Sequence, residues 1–125
     1  MITVLIIEHH NAVRQALSLR LKAVPHLHVV GAIPSINEAQ QIMAGICPDI
    51  IIYGVGHETT FTTTTLEMLD CFVQKRTAVI VLTPYINEEE RQHLISLGID
   101  NYLLKNIDSN ALVAAIDQVD LPISL

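Results

Sequence analysis

The chain has 125 residues, half of them hydrophobic, and a formal net charge of −6. That length and composition suit one compact domain with its own core and carry no bias toward disorder. The seven basic residues are scattered, which disfavours nucleic acid, and no apolar run approaches the roughly 18–20 residues that a membrane helix needs.

Residues 1–7 are a continuous apolar run without a basic leader. The run predicts a strand buried on both faces, and the missing leader predicts a cytoplasmic protein. Next comes a helix with Val13, Ala16, Leu17, Leu21 and Val24 on one stripe, closed by Pro25. A weaker strand spans 27–33, with His26 and His28 as surface residues at its start. Ser35 and Glu38 have capping-box spacing, predicting a helix that buries Ile36, Ala39, Met43 and Ile46 before Gly45 and Pro48 end it.

The third strand is read over 49–53, followed by a Gly- and Thr-rich loop from 54 to about 63. Thr64 and Glu67 repeat the box spacing, and Leu66, Leu69 and Val73 form the next stripe. Residues 78–82 are a fourth buried strand. Asn87 and Glu90 form a third box, with Glu88 and Glu89 near the positive helix end and Gly98 as its C-terminal cap. A last strand spans 100–104, and Asp108 or Ser109 caps a helix burying Leu112, Ala115, Ile116 and Val119. Cys47 and Cys71 match no metal or redox spacing and are expected to be buried, reduced thiols.

Strict alternation of strand and helix predicts an α/β, flavodoxin-like three-layer sandwich with five parallel strands in the order 2-1-3-4-5. One domain covers residues 1–120, with a short tail over 121–125. Such sheets bind ligands beyond the carboxyl ends of their strands. Those ends bring together Glu8, His9 and His10, then Gly54, Thr83 and Lys105. No Gly-rich dinucleotide fingerprint and no P-loop follows the first strand.

In order and spacing these segments resemble a response-regulator receiver domain over almost the whole chain. The pieces are Val4-Leu5-Ile6-Ile7-Glu8-His9-His10, Val13-Arg14, Pro48-Asp49-Ile50-Ile51-Ile52, Val79-Ile80-Val81-Leu82-Thr83 and Gly98-Ile99-Asp100-Asn101-Tyr102-Leu103-Leu104-Lys105. The resemblance implies a phosphate-accepting aspartate after the third strand, where this chain has Gly54. It implies two acids holding Mg²⁺ after the first strand, where this chain has Glu8 and His9. The family's Met-Pro step and glycine after the acceptor are replaced by Val55-Gly56-His57-Glu58-Thr59. Thr83 matches the switch hydroxyl, Tyr102 the switch aromatic and Lys105 the phosphate-contacting lysine.

Glycine offers no nucleophile, and Asp49 stands about 16 Å away at the other end of the sheet. Mg²⁺ prefers several oxygen ligands, whereas His9 suits softer metals. The expected site is therefore a degenerate phosphorylation pocket of Glu8, His9, Gly54, Thr83 and Lys105, with Thr83 and Tyr102 as switch residues. Glu8 and Lys105 are expected to pair. No catalytic residue, metal or cofactor is expected, and the protein is read as a non-enzyme. The implied function is a phosphorylation-independent protein-interaction module in signal transduction. It would bind a protein partner, or itself as a homodimer, through the last two helices and the strand between them. It would touch neither nucleic acid nor membrane. Two alternatives stand beside this: the regulatory domain of a longer transcription factor, and a sensor binding a small molecule or anion in the vacated pocket.

Overall fold

The computed structural model describes residues 1–45, 47–56 and 62–119. Ile46, the loop residues His57 to Thr59 and the expected tail over 121–125 lie outside them.

The elements run β1 (Ile2–Ile7), α1 (Asn11–Lys22), β2 (Leu27–Ile33), a 3₁₀ turn (Ile36–Glu38), α2 (Ala39–Met43), β3 (Ile50–Gly54), α3 (Thr63–Gln74), β4 (Ala78–Thr83), α4 (Glu88–Ser96), β5 (Asn101–Leu104) and α5 (Ser109–Asp117). The strands form one parallel sheet in the order β2-β1-β3-β4-β5, as expected.

Side chains alternate across a strand, so a run apolar at every position feeds two cores. Leu5, Ile7, Ile51, Val79 and Val81 pack toward Ala39, Leu69, Phe72 and Leu94, on the side of α2, α3 and α4. Val4, Ile6, Ile50, Ile52, Ile80 and Leu82 pack toward Leu17, Leu21, Leu112 and Ile116, on the side of α1 and α5. Asp49 closes the far end of the sheet. Its Oδ2 accepts from the Thr3 amide at 2.9 Å and the Thr3 hydroxyl at 3.1 Å, while its own amide donates to Thr3 Oγ1 at 2.9 Å.

Several local expectations are corrected. Ser35 makes no side-chain cap bond, and the chain enters α2 through a 3₁₀ turn. Burial of Ile36 and Ala39, not a cap, fixes this segment. Helix α3 starts two residues earlier than expected, with Thr62 rather than Thr64 as its cap, accepting from the Thr65 amide. Its inward stripe is Leu69 and Phe72, with Leu66 and Val73 at the flanks. Cys71 therefore points outward, and both Cys71 and Cys47 are exposed rather than buried. In α1, Leu17, Ser18 and Leu21 turn inward, while Val13 and Ala16 stay exposed. The expected caps at Asn87 and Asp108 are present, and Gly98 takes φ +91°, a conformation that glycine reaches without steric cost.

Candidate functional site

Strand β1 ends by delivering Glu8 beneath the loop into α1. Its carboxylate is 2% exposed and accepts a hydrogen bond from Lys105 Nζ at 2.6 Å. Lys105 follows β5, and its amide donates to the Thr83 carbonyl at 2.8 Å, which sets the lysine at the sheet end. Between them lies Gly54, the last residue of β3. A Cβ added there would meet Cδ, Oε1 and Oε2 of Glu8, each at 2.9 Å. The carboxylate of Glu8 thus lies flat on the glycine, in the volume a side chain at 54 would need.

The loop carrying Glu8 is held by Arg14, which the sequence placed in the helix after the first strand without a role at the site. Arg14 Nη1 donates to the Glu8 carbonyl at 2.9 Å and to the His9 carbonyl at 3.4 Å, and Nη2 donates to Asn11. An arginine one turn into the helix after a strand-end acid was the available signal. His10 accepts from the Val13 amide through Nδ1 at 3.4 Å and so caps α1. A cavity of about 650 Å³ opens beside the pair, lined by Glu8, His9, His10, Gly54 and Lys105 together with Val13, Pro34, Ser35, Ile36 and Tyr53.

Thr83 does not join this cavity. Its buried hydroxyl donates to the Tyr85 carbonyl at 2.9 Å. Tyr102 is buried nearby and interrupts the capping box of α4. Asn87 accepts from the Glu90 amide, but the reciprocal bond is replaced by a relay. The Asn87 amide donates to the Tyr102 hydroxyl at 3.1 Å, and that hydroxyl donates to Glu90 Oε1 at 2.7 Å. A weaker contact reaches the Tyr85 carbonyl at 3.5 Å, the acceptor already used by Thr83. Four of the five expected pocket residues therefore meet, and Thr83 instead meets Tyr102 through one shared carbonyl.

Burial raises the phenol of Tyr102 above its ordinary 10.0, and donation to Glu90 raises it further. Burial also raises Tyr53, opposed by its hydrogen bond with Thr65. The sign for stability follows. Above pH 10.0 the unfolded chain loses these protons while the fold retains them. The contribution is thus complete below that pH and lost as pH climbs toward the raised folded values. Tyr102→Phe is expected to flatten this alkaline fall, read by urea unfolding across the range. An unchanged slope in both Tyr102→Phe and Tyr53→Phe would refute the assignment.

Against this geometry, the family model described as the response regulator receiver domain matches residues 4–117. The chain belongs to the response-regulator receiver family. This receiver is 28% identical over 116 residues to the transcriptional regulatory protein LiaR of Bacillus subtilis, covering 93% of this chain and 54% of that protein. It thus spans about half the length of that relative. Its fold is also that of a LuxR-family DNA-binding response regulator from Staphylococcus aureus, at 22% identity, TM-score 0.79 and coverage of 94% and 98%. The non-phosphorylated receiver domain of RcsB from Escherichia coli gives TM-score 0.79 at 18% identity, covering 93% of this chain and 90% of that one. Among the described residues of this receiver, no helix is long and apolar enough to cross a membrane.

The donor set does not fit a magnesium ion. One oxygen of Glu8 is engaged by Lys105, residue 54 offers no side-chain ligand atom, and His9 supplies a soft nitrogen. Among the described residues no group of three His, Cys, Asp or Glu side chains comes together.

Proposed function

We propose that this receiver works in signal transduction as a protein-interaction module whose state is not set by aspartyl phosphate. The observation that carries the reading is the Glu8 carboxylate seated on Gly54 and bonded to Lys105. In the family, as the resemblance implies, that region holds a phosphoryl group, a metal and the lysine. Here an internal carboxylate takes the lysine, and no nucleophile stands on residue 54. Among the described residues of the site no nucleophile–base pair comes together, and the reading here is of a non-enzymatic role.

The surface proposed for partners or a second copy spans the last two helices and β5. Ile95 of α4 and Leu104 of β5 are exposed hydrophobics, as are Tyr85 and Ile86 on the approach to α4. Exposed apolar residues at these positions support the proposal of a contact surface.

Incubation with acetyl phosphate and millimolar Mg²⁺, followed by intact mass, tests the reading. The expected results are no phosphoryl increment and an unchanged melting temperature with Mg²⁺. A stable adduct, or a rise of several degrees with Mg²⁺ alone, would overturn it.

A second reading is supported by LiaR, a transcriptional regulator about half of which this chain covers. On that reading the domain regulates a longer transcription factor and leaves DNA contact to another part. Expression of the full gene product and a DNA-binding assay test this, and a product ending with this domain would dismiss it.

A further inference from the structure

The cavity beside the ion pair has a chemistry of its own. We propose that it binds a small, uncharged, partly apolar molecule presenting an N–H or O–H donor to Glu8. The proposal rests on the reading that no phosphoryl group enters this site, and it narrows the ligand class from an anion to a neutral donor.

Size is the first ground. At about 650 Å³ the cavity falls within the roughly 300–1,000 Å³ of small-molecule sites. Val13, Pro34 and Ile36 supply apolar lining, while His9, His10 and Ser35 supply polar groups.

Charge is the second. Lys105 is already bonded to Glu8 at 2.6 Å, so the pair is neutral as a unit. An anion would have to draw Lys105 away and leave a buried carboxylate without its partner, which is costly. A cation would face the ammonium of Lys105 across the same carboxylate. Neither sign gains what a neutral ligand forgoes.

Hydrogen bonding is the third ground. Glu8 Oε2 is buried and has no hydrogen-bond partner among the described residues. A carboxylate oxygen in that condition is an acceptor in want of a donor. Glu8 lines the cavity, which puts this acceptor at the wall a bound molecule would face.

Three probes of one shape separate the alternatives: benzamide, benzoate and benzamidine, each titrated into ¹⁵N-labelled protein. Benzamide is expected to give saturable shifts at the amides of His9, Ile36 and Gly54, with Kd on the order of 1–10 mM. The two charged probes should bind at least about fivefold more weakly. Val13→Trp should abolish the benzamide shifts by filling the cavity from an exposed helix position. Ser35→Phe does the same from another lining position should the first variant fail to fold. Equal or tighter binding of benzoate or benzamidine would overturn the proposal, as would shifts that persist in a folded cavity-filled variant. No saturable shift in a protein that also shows no phosphoryl increment would defeat this proposal alone. A phosphoryl increment would defeat the reading beneath it.

Discussion

Lys105→Met is expected to lower the unfolding free energy by about 3 kcal/mol, because it strands the carboxylate of Glu8 in the interior. The pair is the least solvated charge in the described structure: Glu8 is 2% exposed and Lys105 17%. Methionine preserves most of the lysine stem's packing, so the loss reports the charge. Replacing both partners, Glu8→Leu with Lys105→Met, should recover most of it, since an apolar pair leaves no buried ion to solvate. Urea unfolding of the single and double variants measures this. A single variant within about 0.5 kcal/mol of the parent would mean that water reaches Glu8 freely, and the description of Glu8 as a buried carboxylate would be wrong.

Gly54→Asp is the second large effect, and it runs against the intuition that restoring an acid restores a function. The new Cβ would meet the Glu8 carboxylate at 2.9 Å, closer than side chains tolerate. Glu8 must leave Lys105 or share it with a second negative charge a few ångströms away. We expect a loss of about 2–4 kcal/mol at neutral pH, partly reversed by millimolar Mg²⁺, which relieves the repulsion. Gly54→Ala carries the steric part without the charge and should cost about 1–2 kcal/mol. Adding Glu8→Ala to Gly54→Asp should restore stability, because one carboxylate again faces one lysine. The resulting double-mutant cycle should show coupling of at least about 1 kcal/mol. Additive effects would show that residues 8 and 54 do not compete for space.

Much of this was readable in the sequence for a simple reason. Strands β1, β3 and β4 are apolar at nearly every position, which only a sheet covered on both faces explains. The site followed because strand ends converge at one edge, so Glu8 and Lys105 could be paired by counting charges. What sequence could not settle were choices between near-equal local options. Four threonines run from Thr62 to Thr65, and each is a competent cap. The register was decided by burying Leu69 and Phe72, which in turn sent Cys71 outward. At Ser35 the box spacing was present, but packing of Ile36 favoured a 3₁₀ turn. Thr83 was placed in the pocket by its position, whereas its hydroxyl found an acceptor two residues ahead. A rotamer decided that, and strand patterns carry no rotamers.

The hydroxyl of Tyr102 is threaded through the start of α4, accepting a hydrogen bond from the Asn87 amide and donating one to Glu90. Withdrawing the ring would leave the amide of the N-cap residue Asn87 without this partner and Glu90 without its donor at the same moment. Ring and helix end are thus tied by two hydrogen bonds through one hydroxyl. A contact that shifted the opening turn of α4 would disturb both of those bonds at once.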